Sequence, residues 1–381
     1  MRSVTAGKRV RYYLILALGA LGAGCHHGGN KHGKKTFPAT APAYYKYFHG
    51  TAGNRQVTLQ LVKYPGRYEG VFLDDSLGKP LPVSGTPGNG DSLVLVSYDH
   101  YNAQDTFRGS FPQPGVFQGT VTDTAGQPAT FTLQEIYAPG TIRWQVYTLR
   151  DSLAFDTSRN APRARFRCVA LWPKEKDLPA GQFRLLTDSI EKKLFATDSL
   201  ATNPESLLAG LRDSFFTGYR NMSRQFQAKN RGGITATFNW EYDYDMQVLW
   251  NADSLISLAC SSYQYTGGAH GLTSTVLLTF DCKRSREVQL SDIFRTGYEA
   301  PLQAILEQHL RVQYDLGADA PLNGRDGMLF NPHLPLTSNF YVTGKGIGFL
   351  YNPYEVAPYS YGLIELYIPF SEVRDLLRQP G

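Results

Sequence analysis

The chain has 381 residues, 42% of them hydrophobic and 19% charged, which exceeds one typical core and predicts two domains. Its formal net charge of +5 is concentrated at the N-terminus: residues 1–35 hold seven Lys/Arg and no acid, and beyond them 31 basic residues face 33 acidic ones. A near-neutral folded part without a basic stripe argues against nucleic-acid binding.

Arg2, Lys8, Arg9 and Arg11 precede an apolar run from Tyr12 to Ala23. That is a signal-peptide pattern over 1–24, too short to span a bilayer comfortably. The run ends Leu21-Gly22-Ala23-Gly24-Cys25, which resembles a lipobox with the large apolar residue one position early. The expectation is diacylation of Cys25 by palmitate-type chains; the alternatives are ordinary cleavage nearby and an uncleaved anchor. An exported protein tied by acyl chains to a bacterial membrane follows, at the outer membrane or cell surface rather than the inner membrane. Residues 25–43 have almost nothing to bury and read as a tether. Its three histidines read as solvated, because a metal site needs ligands held in place.

Residues 44–155 alternate with period two: Val57, Leu59 and Leu61 share one face, and Leu93 and Leu95 another. Pro/Gly clusters punctuate the strands, and an aromatic-x-Gly unit recurs at Tyr68-Glu69-Gly70, Phe107-Arg108-Gly109 and Phe117-Gln118-Gly119. This predicts an antiparallel meander, barrel- or sandwich-like. A packed interior is the favoured reading over a ligand cavity, since small barrels fill with side chains.

Composition shifts near Asp156–Pro162, and residues 156–381 mix both periods. A strand is expected over 164–172. Phe183, Leu186, Ile190 and Leu194 then line a helix face. Asn203-Pro204-Glu205 starts a second helix whose apolar stripe runs from Leu207 through Tyr219 to Phe226. Strands follow over 235–250, 255–265 and 274–282, a helix over 299–314, a hairpin over 340–351, a strand over 363–368 and a short helix from Ser371. Helices grouped on an antiparallel sheet make this region α+β.

Tyr265-Thr266-Gly267-Gly268-Ala269-His270-Gly271, Leu290-Ser291-Asp292-Ile293-Phe294, Phe349 to Tyr359 and Ile368-Pro369-Phe370-Ser371 together resemble the extracytoplasmic domain of RsiV-type anti-sigma factors. That domain is also found ahead of the catalytic domain in PdaC-type peptidoglycan deacetylases. The resemblance covers about 160–377. In RsiV the domain binds lysozyme, which implies an envelope-facing recognition role toward a lysozyme-like muramidase or peptidoglycan. Sigma-factor control does not carry over, because a signal sequence and a β domain replace the sigma-binding segment and membrane span. Deacetylation does not carry over either, because no His-x-x-x-His pair is present.

Candidate binding residues are Tyr265, Gly267, Gly268 and His270, and Tyr354, Glu355, Pro358 and Tyr359. The first group is either an exposed binding loop or a glycine turn with His270 hydrogen-bonded locally. The second is either a rigid Tyr-rich contact surface or a packed connection. Glu241, Asp243 and Asp245 share one strand face, where a cation or sugar site competes with the favoured solvated face. Of the four cysteines, Cys260 and Cys282 flank one hairpin and could pair only across a wide loop. No catalytic residue, metal or cofactor is assigned. The reading is a non-catalytic envelope lipoprotein; the alternatives are a hydrolase acting through Glu241, Asp243 or Glu355, and a small-ligand carrier using the β domain.

Overall fold

The computed structural model describes residues 43–378 apart from 89–91, 101, 198–200, 202, 229–235 and 326. The signal peptide, Cys25 and nearly all of the tether lie outside the described residues. Residues Thr40–Gly381 form one compact unit.

Eight strands close an antiparallel barrel: β1 (Tyr44–Ala52), β2 (Arg55–Tyr64), β3 (Arg67–Asp74), β4 (Leu81–Pro87), β5 (Ser92–Asp99), β6 (Asn102–Gln113), β7 (Val116–Thr122) and β8 (Pro128–Glu135). Closure comes from β8 pairing back on β1, with Phe48 opposite Glu135 and Ala52 opposite Phe131. The alternating stripe points inward, where Leu59, Leu61, Leu95, Phe107, Phe117 and Phe131 are all buried. Rings meet at 5.3 Å (Phe107–Phe131) and 4.8 Å (Phe117–Phe131), so side chains fill the barrel as its small circumference demands. An interior chamber for a carried ligand is thereby excluded. The recurring glycines explain this packing. Gly109 faces Gly119 across β6 and β7, and a Cβ on Gly109 would stand 2.6 Å from the Phe131 ring and 2.8 Å from the Phe117 ring.

A six-stranded sheet follows, ordered β14-β13-β12-β11-β10-β9. Its strands are β9 (Trp144–Ala154), β10 (Arg163–Pro173), β11 (Glu241–Ala252), β12 (Leu255–Tyr265), β13 (Leu272–Asp281) and β14 (Arg286–Glu287). Two features depart from the sequence expectation. The β9 segment, expected with the barrel, pairs along its whole length with β10. The β10–β11 pair is parallel, because the two helices between them supply the crossover that a parallel pair needs. Those helices are α1 (Ala180–Ser189), which runs on into a π-helical turn Ile190–Leu194, and α2 (Pro204–Ala228). Asn203 starts α2 as expected, its Oδ1 accepting from the Ser206 amide at 2.8 Å. Leu207, Leu208, Phe215 and Tyr219 bury the expected stripe against Phe166, Cys168 and Tyr244 on one sheet face. Each such side chain contributes about 1.5–3 kcal/mol.

The other face of the sheet carries the barrel and a three-stranded sheet of β15 (Phe340–Val342), β16 (Gly346–Tyr351) and β17 (Ile364–Pro369). Val71 and Leu73 from the outside of β3 meet Leu249, Ala259, Leu277, Tyr341 and Leu350 there. Helices α3 (Leu290–Ile293) and α4 (Glu299–Gln313) complete the chain, with Leu302, Leu306 and Leu310 fully buried against the small sheet. The expected helix from Ser371 is a single 3-10 turn, Arg374–Leu376. Among the described residues no helix is long and apolar enough to cross a membrane.

Cys168, Cys260 and Cys282 are free and buried. A Cys260–Cys282 bond is ruled out by register. Cys260 faces Val276, whereas Cys282 follows Asp281, which faces Leu255. Five strand positions separate Leu255 from Cys260, so the two thiols sit roughly 15–20 Å apart.

Candidate functional site

The two loops singled out in the sequence meet. Gly267 and Gly268 take φ of 96° and 107°, so the 265–271 loop turns through left-handed backbone that glycine adopts without steric cost. Tyr265 donates its hydroxyl to the Gly268 carbonyl at 3.1 Å and holds that turn. The turn delivers His270 onto the Tyr359 ring, with centroids 4.1 Å apart and planes 23° apart. Nδ1–H of His270 points at the Gly271 carbonyl, 3.0 Å away, which leaves Nε2 facing the Tyr354 hydroxyl at 3.4 Å. Tyr354 and Tyr359 lie 5.5 Å apart. Tyr359 also donates to the Gly271 carbonyl at 3.0 Å, fastening one loop to the other. His270 is thus hydrogen-bonded locally, as a glycine turn implies, and is also exposed as part of an aromatic platform.

Asn352 anchors the second loop. Its Oδ1 accepts from the Thr275 amide at 2.7 Å and its Nδ2 donates to the Thr275 carbonyl at 3.2 Å. Asn339 does the same beside it, accepting from the Leu277 amide at 2.8 Å and donating to the Thr275 carbonyl at 2.9 Å. Two asparagine side chains thus occupy the β13 edge beyond its short pairing with β14 and satisfy the Thr275 amide and carbonyl and the Leu277 amide. Glu355 closes the turn by accepting from the Asn352 amide at 2.8 Å. Within that turn Tyr354 has φ of 68°, a conformation non-glycine residues adopt at a cost of about 1 kcal/mol. Tyr354 is 53% exposed. Pro358 is exposed beside it, and Leu272 adds an apolar surface 46% exposed.

The acid stripe runs into this platform. Glu241, Asp243 and Asp245 on β11 face Tyr265, Tyr263 and Ser261 on β12. Tyr263 lies against Gly271, where a Cβ would come within 2.5 Å of its ring, and so bridges the acids to the His270–Tyr359 stack. The expectation of a plain solvated face is corrected here. Arg167 from β10 reaches Asp243 at 3.4 Å and Asp245 at 3.1 Å, and the barrel's Glu69 closes the side. Burial raises the Asp245 carboxyl well above its usual range, and Glu69 raises it further against the opposing pull of Arg167. Burial also raises Glu241, with Asp243 adding to it. For Arg167 burial works toward a lower value, but Asp245 and Asp243 outweigh it and keep the guanidinium charged. Among the described residues no group of three or more metal-ligating side chains is gathered.

Sequence reasoning missed Tyr263, Asn339 and Arg167. Tyr263 shares a face with Tyr265 by strand parity and was legible. The other two act through pairings that exist only after the chain crosses over.

The C-terminal region is α+β, and comparison with known proteins shows that it holds a domain shared with PdaC-type proteins. Residues 182–273 match the family described as "Deacetylase PdaC", and residues 291–371 match "Protein of unknown function (DUF3298)". His270 falls in the first segment and Tyr359 in the second, so the platform joins the two. The peptidoglycan-N-acetylmuramic acid deacetylase PdaC of Bacillus subtilis is 26% identical over 163 residues, 41% of this chain. The match spans 34% of that relative's length. A solved DUF3298 protein from Bacteroides fragilis superposes with a TM-score of 0.56 at 21% identity, covering 64% of this chain and 96% of its own, and shares the fold. A second, from Pseudomonas aeruginosa, gives a TM-score of 0.41 at 19% identity, covering 62% of this chain and 97% of its own.

Proposed function

We propose that the chain is a non-catalytic recognition module of the bacterial envelope, held to the outer membrane or cell surface through acyl chains on Cys25. Its target is a peptidoglycan-acting protein of the lysozyme type, or the cell-wall glycan itself. One observation carries this reading: two loops some ninety residues apart stack His270 on Tyr359 and present Tyr354 beside them, at the junction of both matched segments. Rigid tyrosines offer contact area at little entropy loss, and the strain at Tyr354 favours a role in contact over a role in packing. The test is calorimetric titration of the folded chain with lysozyme-type muramidases and with muropeptides. Binding to one of them that is lost in Tyr354→Ala and His270→Ala supports the reading. Absence of heat with both, from folded protein, removes it.

A hydrolase reading draws support from Glu241, whose raised carboxyl stands two residues from Asp243 on one strand face, roughly 7 Å away. Turnover of labelled peptidoglycan that Glu241→Gln abolishes would replace recognition with catalysis. No turnover by the wild-type chain ends that alternative.

A further inference from the structure

The filled barrel has an open mouth. Tyr44 faces Lys63 and Lys63 faces Tyr68 in register across β1, β2 and β3, at the end of the inward stripe that begins Val57, Leu59, Leu61. The β6–β7 hairpin overhangs them through Phe111 to Gly115, and together they enclose a cleft of about 540 Å³. That volume suits a small ligand. The floor is closed: Phe111 stacks on Phe117 at 4.9 Å, and Phe48 lies 6.2 Å from Phe111.

The charge in this cleft is unusual for an inward barrel position. Lys63 Nζ stands 5.6 Å from the centroids of both Tyr44 and Tyr68. Lys46 Nζ stands 5.3 Å from the same Tyr44 ring, bringing two ammonium groups to one aromatic ring. Among the described residues Glu135 is the carboxylate that pairs here, with Lys46 at 2.8 Å. Among the described residues no carboxylate forms an ion pair with Lys63. Lys63 is half-buried, so its ammonium group is open to a ligand that enters the cleft. Burial raises the Tyr44 hydroxyl, with Tyr68 adding to it, so it stays protonated as a hydrogen-bond donor.

We infer that the barrel mouth binds a carboxylate-bearing pyranose, its carboxylate on Lys63 and its ring faces against Tyr44 and Tyr68. Each feature selects for this class. A single ammonium without an ion pair among the described residues suits a monoanion and disfavours polyphosphates. The closed aromatic floor stops an acyl chain from entering. Tyrosine and proline walls with the Gln113 amide match a body that is apolar on its faces and hydroxylated at its edge. This site shares no residue with the His270–Tyr359 platform, so the two readings stand or fall separately.

The experiment is an amide-resolved NMR titration of the folded full chain with D-glucuronic acid and N-acetylmuramic acid, against D-glucose and N-acetylglucosamine as uncharged counterparts. Shifts confined to residues 44–48, 63–68 and 111–116, with the acids binding about tenfold more tightly than the neutral sugars, are expected. Added salt weakens the acids and leaves the neutral sugars unchanged. Lys63→Met, which keeps the apolar stem, brings the acids down to the neutral level. Should that variant misfold, the salt dependence of the wild type decides alone. The inference is overturned by equal binding of acid and neutral sugars, by equal binding of octanoate, by shifts at 265–271 and 352–361 instead, or by no shifts at all.

Discussion

Replacing Asn352 by Ala tests how the platform is held. The substitution removes two hydrogen bonds, from the Thr275 amide at 2.7 Å and to the Thr275 carbonyl at 3.2 Å. The carbonyl keeps its bond from Asn339 at 2.9 Å, so only the amide is orphaned. Thr275 is 4% exposed, and a buried donor left without a partner costs about 1–3 kcal/mol. A central value of about 2 kcal/mol corresponds to roughly 30-fold faster local opening. Native-state hydrogen exchange at the Thr275 amide reads this directly, and urea unfolding reads the global part. The loosened 352–361 loop also weakens the Tyr359–His270 stack, so partner binding falls in parallel. Asn352→Asp keeps the acceptor for the Thr275 amide and recovers most of the protection. Unchanged exchange at Thr275 in the Ala variant refutes the claim that this side chain fastens the loop to β13.

Three further outcomes are expected. Because Asp245 has a raised carboxyl, the folded state binds its proton more tightly than the unfolded state, and stability falls as pH rises above the ordinary carboxylate range. The groups facing it are Glu69 on β3, Arg167 on β10 and Tyr64 on β2. Glu69→Gln removes the like charge and recovers on the order of 1 kcal/mol at alkaline pH, measured by urea unfolding at pH values on both sides of neutrality; an unchanged slope contradicts the pairing. Tyr354→Asn relieves a left-handed φ that Asn tolerates, so it stabilises the fold by about 0.5–1 kcal/mol while removing an exposed ring of the platform. Thermal unfolding and partner titration should therefore move in opposite directions. Burial raises the Cys168, Cys260 and Cys282 thiols, the last to about 12, so a disulfide reagent labels none of the three in native protein and all three in guanidinium. Rapid labelling of any of them before unfolding counts against the buried positions.

Local chemistry was enough for much of this protein. Period-two alternation reports a one-sided strand wherever it occurs, so the barrel stripe from Val57 to Leu61 and the β12 boundaries could be read directly. The Asn203-Pro204 start and the stripe from Leu207 to Tyr219 fixed α2 in the same way, and the paired glycine- and tyrosine-rich motifs pointed to the shared domain. Tertiary structure alone decided three things. It gave β9 to the second sheet, because alternation is identical whichever neighbour a strand pairs with. It made β10 and β11 parallel neighbours, which set Arg167 between Asp243 and Asp245 and turned a stripe expected to be solvated into a partly buried one. It also brought His270 onto Tyr359. Contacts across ninety residues depend on which surfaces bury each other, and no local period encodes that.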